Sequence, residues 1–316
     1  MITEGLLRRI SSRYAGRGRE FAFLELAQEH LLLWMEREGL FGYGLEEVVF
    51  KGGTAIRKFR LGLRGRFSTD LDFAICDDAY AQHVITALVK GIEIEGVRFE
   101  ARNVDLPAAK ATWVATVAGV GQTMEAKLEF TRRATLLEPI VPRKRAEIAG
   151  LDRELLGFEM PLIPLMRLEE NLAEKLARFR RVIRSRDLYD LAELGREVRD
   201  QIALIRQIVC FKVYFDVCRD GRSSPAPFLC GPEFVDRSVR EIIDPDDLGL
   251  IVGGRVDYAP MLKTVGAVFG PMGYPVGTVE ERLAKLNPGD LWWAEQEYER
   301  LRKQYRTDPP AGDGVL

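Results

Sequence analysis

Histidine is almost missing from this chain. There are two in 316 residues, His30 and His83, far apart in sequence. That excludes a histidine-based nucleophilic triad and a histidine metal cage, and both are expected on helix faces or at the surface. Cysteine is scarce as well. Cys76, Cys210, Cys218 and Cys230 show no CxxC or CxxH spacing, so neither a structural zinc nor a disulfide framework is expected, and the thiols read as reduced in a cytoplasmic protein. No apolar run reaches the roughly 18 residues that cross a bilayer. The first residues lack the basic-then-apolar order of a secretion signal, so no membrane partner is expected. The Walker pattern GxxxxGK[ST] is absent, which excludes a P-loop NTPase. An excess of positive charge is missing too: 46 Lys and Arg face 48 Asp and Glu, a net charge of −2. A globally basic nucleic-acid binder is excluded; a local basic surface is not.

The charge that is present is segregated. Residues 51–66 and 175–186 each hold six basic residues and no acid, whereas 233–247 holds six acids against two arginines. This suits a protein with a polyanion-facing cleft and a separate acidic surface. Only 11 of the basic residues are lysine, and five of these (Lys51, Lys58, Lys127, Lys175 and Lys212) fall inside or beside the motifs below.

With 47% hydrophobic and 30% charged residues, the chain is globular and long enough for two domains. Periodicity predicts a helix over 21–38, a short strand at 48–50, a helix capped by Thr54, a strand over 69–75 and a helix over 80–90. Strands follow at 97–104, 112–117 and 123–131. Prolines 139, 142, 161 and 164 bracket the expected boundary. Beyond it Leu168, Leu172, Leu176, Phe179 and Ile183 form one apolar stripe, followed by helices at 188–198 and 206–217. Trp292 and Trp293 are expected in a core or an interface. The expectation is an α+β fold: a mixed-sheet domain over 1–155, a helical domain over 156–306 closing a cleft, and a disordered tail over 307–316.

The chemistry is expected in Lys51-Gly52-Gly53-Thr54 and Arg66-Phe67-Ser68-Thr69-Asp70-Leu71-Asp72-Phe73. On a strand, residues i and i+2 share a face with Cα atoms about 6.6 Å apart. Asp70 and Asp72 so placed suit a pair of divalent ions roughly 3.5–4 Å apart. An all-oxygen set without histidine favours Mg²⁺. Gly52 and Gly53 let the backbone turn and approach a phosphate, with the helix start at Thr54 offering N–H groups. A third carboxylate is expected from the alternating strand Glu125-Ala126-Lys127-Leu128-Glu129-Phe130. Glu129 is preferred, as metal ligand or proton acceptor; a solvated sheet face is the competing reading. Ser68 faces the same site if the strand begins there; otherwise it is a loop hydroxyl bound to backbone.

A diglycine, a helix and a DxD strand in this order resemble the polymerase-β-like nucleotidyltransferase superfamily. The wording KGGTAIRK…RFSTDLDF is similar to the AbiE/MenT-type toxins of type IV toxin–antitoxin systems. Glu170 to Leu176 followed by Arg186-Asp187-Leu188-Tyr189-Asp190-Leu191, and Phe211-Lys212-Val213-Tyr214, resemble that family's helical motifs. The likeness covers about 48–217, with Glu129 where the wider superfamily usually has Asp. It implies NTP binding by Lys51, Gly52, Gly53, Thr54, Arg66, Ser68, Lys175 and Lys212. It also implies a tRNA 3′ end as acceptor, a block of aminoacylation and growth, and a cognate antitoxin. Read from the residues themselves, Lys175 lies with Asn171 and Arg178 on one helix face and is suited to the triphosphate; a solvated face competes. Asp187 is either a carboxylate orienting Lys175 or an arginine, or a helix N-cap. A protein or small-molecule hydroxyl as acceptor, and a binding-only regulator, are the other classes.

Overall fold

The longest strand follows the clearest alternation in the sequence. Val120–Arg132 (β6) buries Ala126, Leu128 and Phe130 and turns Glu125, Lys127 and Glu129 to the opposite face. It lies inside a six-stranded sheet of order β1-β2-β6-β5-β4-β3. The other strands are Val48–Lys51 (β1), Leu71–Ile75 (β2), Ile92–Ile94 (β3), Val97–Asp105 (β4) and Lys110–Val117 (β5). Only β2 and β6 run parallel; the other neighbours are antiparallel. The fold is therefore α+β with a mixed sheet. The structure, a computed structural model, describes residues 2–12, 18–42, 48–142, 146, 156–222, 257–273 and 275–308.

One core forms where Glu4–Ser11 (α1), Gly18–Arg37 (α2) and Asp78–Lys90 (α4) contribute to the same buried cluster as the apolar face of the sheet. Phe50, Phe73 and Phe130 stack across three adjacent strands, with ring centroids 5.1 and 5.5 Å apart. The helix α2 is buried nearly all round, including Glu25, Gln28, Glu29 and His30. Its two glutamates meet Arg57 and Lys58, which follow Gly52–Ile56 (α3) in a wider turn over Arg57–Leu61. Glu25 accepts from Arg57 Nε at 2.5 Å and from Lys58 Nζ at 2.8 Å, and Glu29 lies 3.0 Å from Lys58.

A second core joins Leu168–Phe179 (α5), Ser185–Leu194 (α6), Ile202–Cys218 (α7), Tyr258–Phe269 (α8), Thr278–Ala284 (α9) and Leu291–Thr307 (α10). The two cores exchange chain. Leu156, Phe158, Ile163 and Leu165 pack with the sheet, whereas Ile56, Leu61, Leu136 and Leu137 pack with the helices. Residues 164–166 also cover the sheet edge: Phe50 N–H donates to the Pro164 carbonyl, and Met166 N–H to that of Phe50.

Several sequence expectations change. The helix after β1 begins at Gly52, so Thr54 is interior and not its cap. The next helix of the second half starts at Ser185 with Arg184 as N-cap, which removes the N-cap reading of Asp187. Ile183 is buried but lies beyond α5. His30 is a core residue whose Nδ1–H donates to the Leu26 carbonyl at 2.7 Å. Trp292 is exposed, at 72%, and so outside the core, whereas Trp293 packs against the helical core. Thr307 closes α10. The elements α1, β3, α8, α9 and α10 have no counterpart among the sequence expectations. The acidic stretch 233–247, Cys230 and residues 309–316 lie outside the described residues.

Candidate active site

The corner between β1 and α3 builds one wall. Lys51 ends β1 in extended backbone, and Gly52 turns the chain at φ +80°. A Cβ on Gly52 would stand 2.5 Å from Asp72 Oδ2, and one on Gly53 would collide with the Arg66 guanidinium and the Ser68 hydroxyl. The left-handed backbone requires glycine at Gly52, whereas at Gly53 a side chain would have to displace the Arg66 guanidinium. Thr54 does not line the cleft. It is buried, and its hydroxyl donates to the Asp70 carbonyl at 2.5 Å and to the Ser68 carbonyl at 3.3 Å. Gln28 Nε2 donates to the carbonyls of Ser68 and Thr69 at 3.1 and 3.0 Å. The two residues together hold 68–70 extended, which carries Asp70 toward the site just ahead of β2.

Asp72 on β2 is in register with Lys51 on β1 and with Glu129 on β6, and Glu129 with Lys110 on β5. Four charged side chains thus form a row across one face of the sheet. Glu129 pairs with Lys110 at 3.0 Å. Burial pushes Asp72 up to about 6, with Asp70 and Glu129 adding to the rise and Lys51 opposing it. The donor set is all oxygen and crowded with like charge, which fits a hard divalent cation. Among the described residues no three such groups form a ready-made cage.

The helical half builds the facing wall. Lys175 on α5 is buried, with Nζ 3.1 Å from Asp187 Oδ1 and 2.8 Å from Asp190 Oδ2. The solvated-face reading of Lys175 is thereby excluded. Asp190 also takes Arg66 at 2.9 Å, and Asp187 takes Arg178 at 3.0 Å. Burial alone would raise the Asp187 carboxyl; Lys175 and Arg178 overcome it and hold the group well below the usual carboxylate range. Deeper in, Lys212 pairs with Glu170 at 2.7 Å and Glu174 at 3.0 Å, and Glu174 takes Lys51 at 2.7 Å. Burial works against the Lys212 charge, but the two glutamates hold its proton far more tightly than usual. Glu170 also accepts from the backbone N–H groups of Leu136 and Leu137.

These walls enclose a cleft in two communicating lobes. An outer lobe of about 520 Å³ is lined by Gly52, Gly53, Ser68, Asp70, Lys175 and Arg184, among others. An inner lobe of about 120 Å³ is lined by Lys51, Glu174, Lys212 and Thr131, among others. Asp72, Glu129 and Arg178 border both. The basic segments divide: Arg66, Arg178, Arg181, Arg184 and Arg186 reach the cleft. Arg57 and Lys58 face α2, and Arg180 is buried. Of the expected residues, the structure brings Gly52, Gly53, Ser68, Asp70, Asp72, Glu129, Lys175 and Asp187 together with Lys51, Arg66 and Lys212. Sequence reasoning missed Glu174, Asp190 and the part played by Arg178. The i+3 spacings of Arg178 from Lys175 and of Asp190 from Asp187, and the i+4 spacing of Glu174 from Glu170, were the available signal.

A family model described as nucleotidyl transferase AbiEii toxin, type IV toxin–antitoxin system, matches residues 42–270. Among solved structures the chain is similar to MenT4, a nucleotidyltransferase toxin from Mycobacterium tuberculosis H37Rv. The two are 31% identical with a TM-score of 0.80, over 96% of this chain and 100% of that one. A nucleotidyltransferase structure from H. pylori is 14% identical with a TM-score of 0.43, over 90% and 99% of the two chains, and supports nothing further. No curated protein matches the chain.

Proposed function

The chain belongs to the AbiEii family of nucleotidyltransferase toxins of type IV toxin–antitoxin systems, and on that premise we propose that it transfers a nucleoside monophosphate from an NTP to the 3′ end of tRNA. The observation that carries the reading is the two-lobed cleft. Carboxylates from two parallel strands stand there beside a diglycine turn, under a wall of arginines from the helical half.

Asp70, Asp72 and Glu129 would hold Mg²⁺, which when bound neutralises phosphate charge and lowers the pKa of the attacking hydroxyl. Gly52 and Gly53 admit the triphosphate against the backbone, and Ser68 is placed to donate to a phosphate oxygen. The acceptor's 3′-hydroxyl oxygen forms a bond to the α-phosphorus. The bond from that phosphorus to the α–β bridging oxygen breaks, and pyrophosphate leaves with its electron pair. Glu129 would receive the hydroxyl proton where it does not bind the metal, and water would where it does. Lys51, Lys175 and Lys212 would raise the positive charge of the cleft behind the leaving group, and Asp187 would orient the cations it touches. The cationic rim suits the backbone of an RNA acceptor. The outcome in the cell would be uncharged tRNA, arrested growth and a need for a cognate antitoxin, in the cytoplasm.

The test is to incubate the protein with total RNA, each labelled NTP in turn and Mg²⁺. Label on tRNA 3′ ends, abolished by Asp70→Asn, is the expected result. Label confined to polypeptide or to a small molecule would replace the acceptor. Nucleotide binding without any transfer would leave a binding-only regulator.

A further inference from the structure

The lysine of the helical motif is not the cation that meets the cleft most openly. Lys175, Arg66 and Arg178 share two carboxylates, Asp187 and Asp190. Three cations on two anions leave one positive charge in excess, and exposure says where it emerges. The side chains of Lys175 and Arg66 are 5% and 6% exposed and both aspartates 1%, whereas that of Arg178 is 36% exposed. The chain of ion pairs runs from Arg66, packed against Gly53, through Asp190, Lys175 and Asp187 to Arg178, and opens to solvent only at that end.

We propose that Arg178 grips the β- and γ-phosphates of the incoming NTP, and that Lys175 and Asp187 are positioning residues that hold its guanidinium in place. The inference rests on the nucleotidyl-transfer reading above and deepens it. Arg178 follows Lys175 by three residues on α5, so the two side chains share a face. Asp187 binds Lys175 through one carboxylate oxygen and Arg178 Nη1 through the other. Lys175 thus neutralises the aspartate from behind, and the aspartate fixes the arginine in front. The remaining N–H edge of the guanidinium, Nε and Nη2, has the fork geometry that matches two phosphate oxygens. Arg178 borders both lobes beside Gly52 and Asp72, where phosphates would lie.

Five other cations lining the cleft are committed elsewhere, and Lys127, Arg184 and Arg186 line the outer lobe only. Arg66 donates through Nε and Nη2 to Asp190. Lys51 and Lys212 are held by Glu174. Arg181 and Arg222 both pair with Asp216. When the α–β bridging P–O bond breaks, negative charge grows on the departing pyrophosphate, and a fixed guanidinium there needs no reorganisation to meet it.

The experiment measures binding of inorganic pyrophosphate with Mg²⁺ by titration calorimetry, alongside steady-state transfer. The proteins are wild type, Arg178→Gln, Arg178→Lys, Asp187→Asn and the double variant Arg178→Gln/Asp187→Asn. Arg178→Gln should weaken pyrophosphate binding and lower kcat/KM by about tenfold to a hundredfold, the worth of a charge-assisted hydrogen bond. Affinity for the matching nucleoside monophosphate should stay at the wild-type value. Arg178→Lys should recover part of the loss. Asp187→Asn should show the same pattern more weakly, and the double variant should be no worse than Arg178→Gln, because the two act through one contact. Wild-type pyrophosphate affinity in a folded Arg178→Gln, or equal loss of monophosphate binding, overturns the proposal, as does a wild-type protein that binds no pyrophosphate. Additive losses in the double variant overturn the positioning role. If Arg178 behaves as stated and tRNA is nevertheless never labelled, the acceptor assignment alone fails.

Discussion

Asp72 and Glu129 stand opposite each other as register partners on β2 and β6, the one parallel pair in the described sheet. The pairing brings two carboxylates from distant parts of the chain onto one face, flanked by Lys51 on one side and Lys110 on the other. Asp72 is half-buried amid like charge with its proton affinity raised, while Glu129 is compensated by Lys110.

Asp70→Asn and Asp72→Asn should each cut transfer by about two to three orders of magnitude, the scale of losing fixed charge at a reacting centre. Thermal stability should be kept or slightly raised, since like-charge crowding is relieved. Steady-state transfer and a melting curve on each variant check this; full activity in either would remove that carboxylate from the site.

Gly52→Ala should impair both folding and transfer. The left-handed backbone costs an alanine about 1–2 kcal/mol, and the new methyl would press on the Asp72 carboxylate. Urea unfolding gives the first number and nucleotide binding the second. Unchanged binding would mean that the turn tolerates a side chain.

Glu25→Gln should destabilise the protein near neutral pH by about 3–5 kcal/mol, because Arg57 stays buried without its anion and Lys58 keeps only Glu29. Burial alone would raise Glu25, but Lys58 and Arg57 hold it down to about 2. A carboxylate depressed on folding contributes stability above its unfolded value near 4.5, and loses it as pH falls through about 2. The stability gap between wild type and variant should therefore be widest above pH 5 and shrink toward pH 2. A gap that does not depend on pH would show that shape, and not charge, holds this cluster.

Arg181→Gln with Arg184→Gln should weaken RNA binding and flatten the slope of log affinity against log salt, by about 0.7–0.9 for each RNA phosphate that is no longer neutralised. Both side chains line the outer lobe. Arg180→Gln should leave the slope unchanged, since Arg180 is buried. Binding measured across a salt series separates the two outcomes.

What was legible in the sequence was local. The DxD spacing, the diglycine and the alternation around Glu129 are short-range patterns, and the strands and helices that carry them lie close to where periodicity put them. What was not legible was partnership across distance. The basic stretch 51–66 reads as one cationic surface, yet Arg57 and Lys58 turn inward because Glu25 and Glu29 wait on α2. Lys175 reads equally as a solvated residue, because nothing in its own helix reveals the two aspartates of α6. His30 reads as a surface group until its carbonyl partner one turn back and its contact with Phe158 are seen.

The exchange of chain between the two cores bears on how the protein could be divided. Leu156, Phe158, Ile163 and Leu165 lie in the sheet's core although they belong to the half expected to be helical, and Leu136 and Leu137 lie in the helical core although they belong to the other. Each half therefore clasps a piece of the other, like hands gripping past the wrist. A polypeptide severed between residues 142 and 156 would present two fragments, each short of part of its own interior. Neither should persist when made by itself, and the pair made together should stay joined through purification. For a toxin, that interlock leaves a single cut between the two halves a poor way to disarm it.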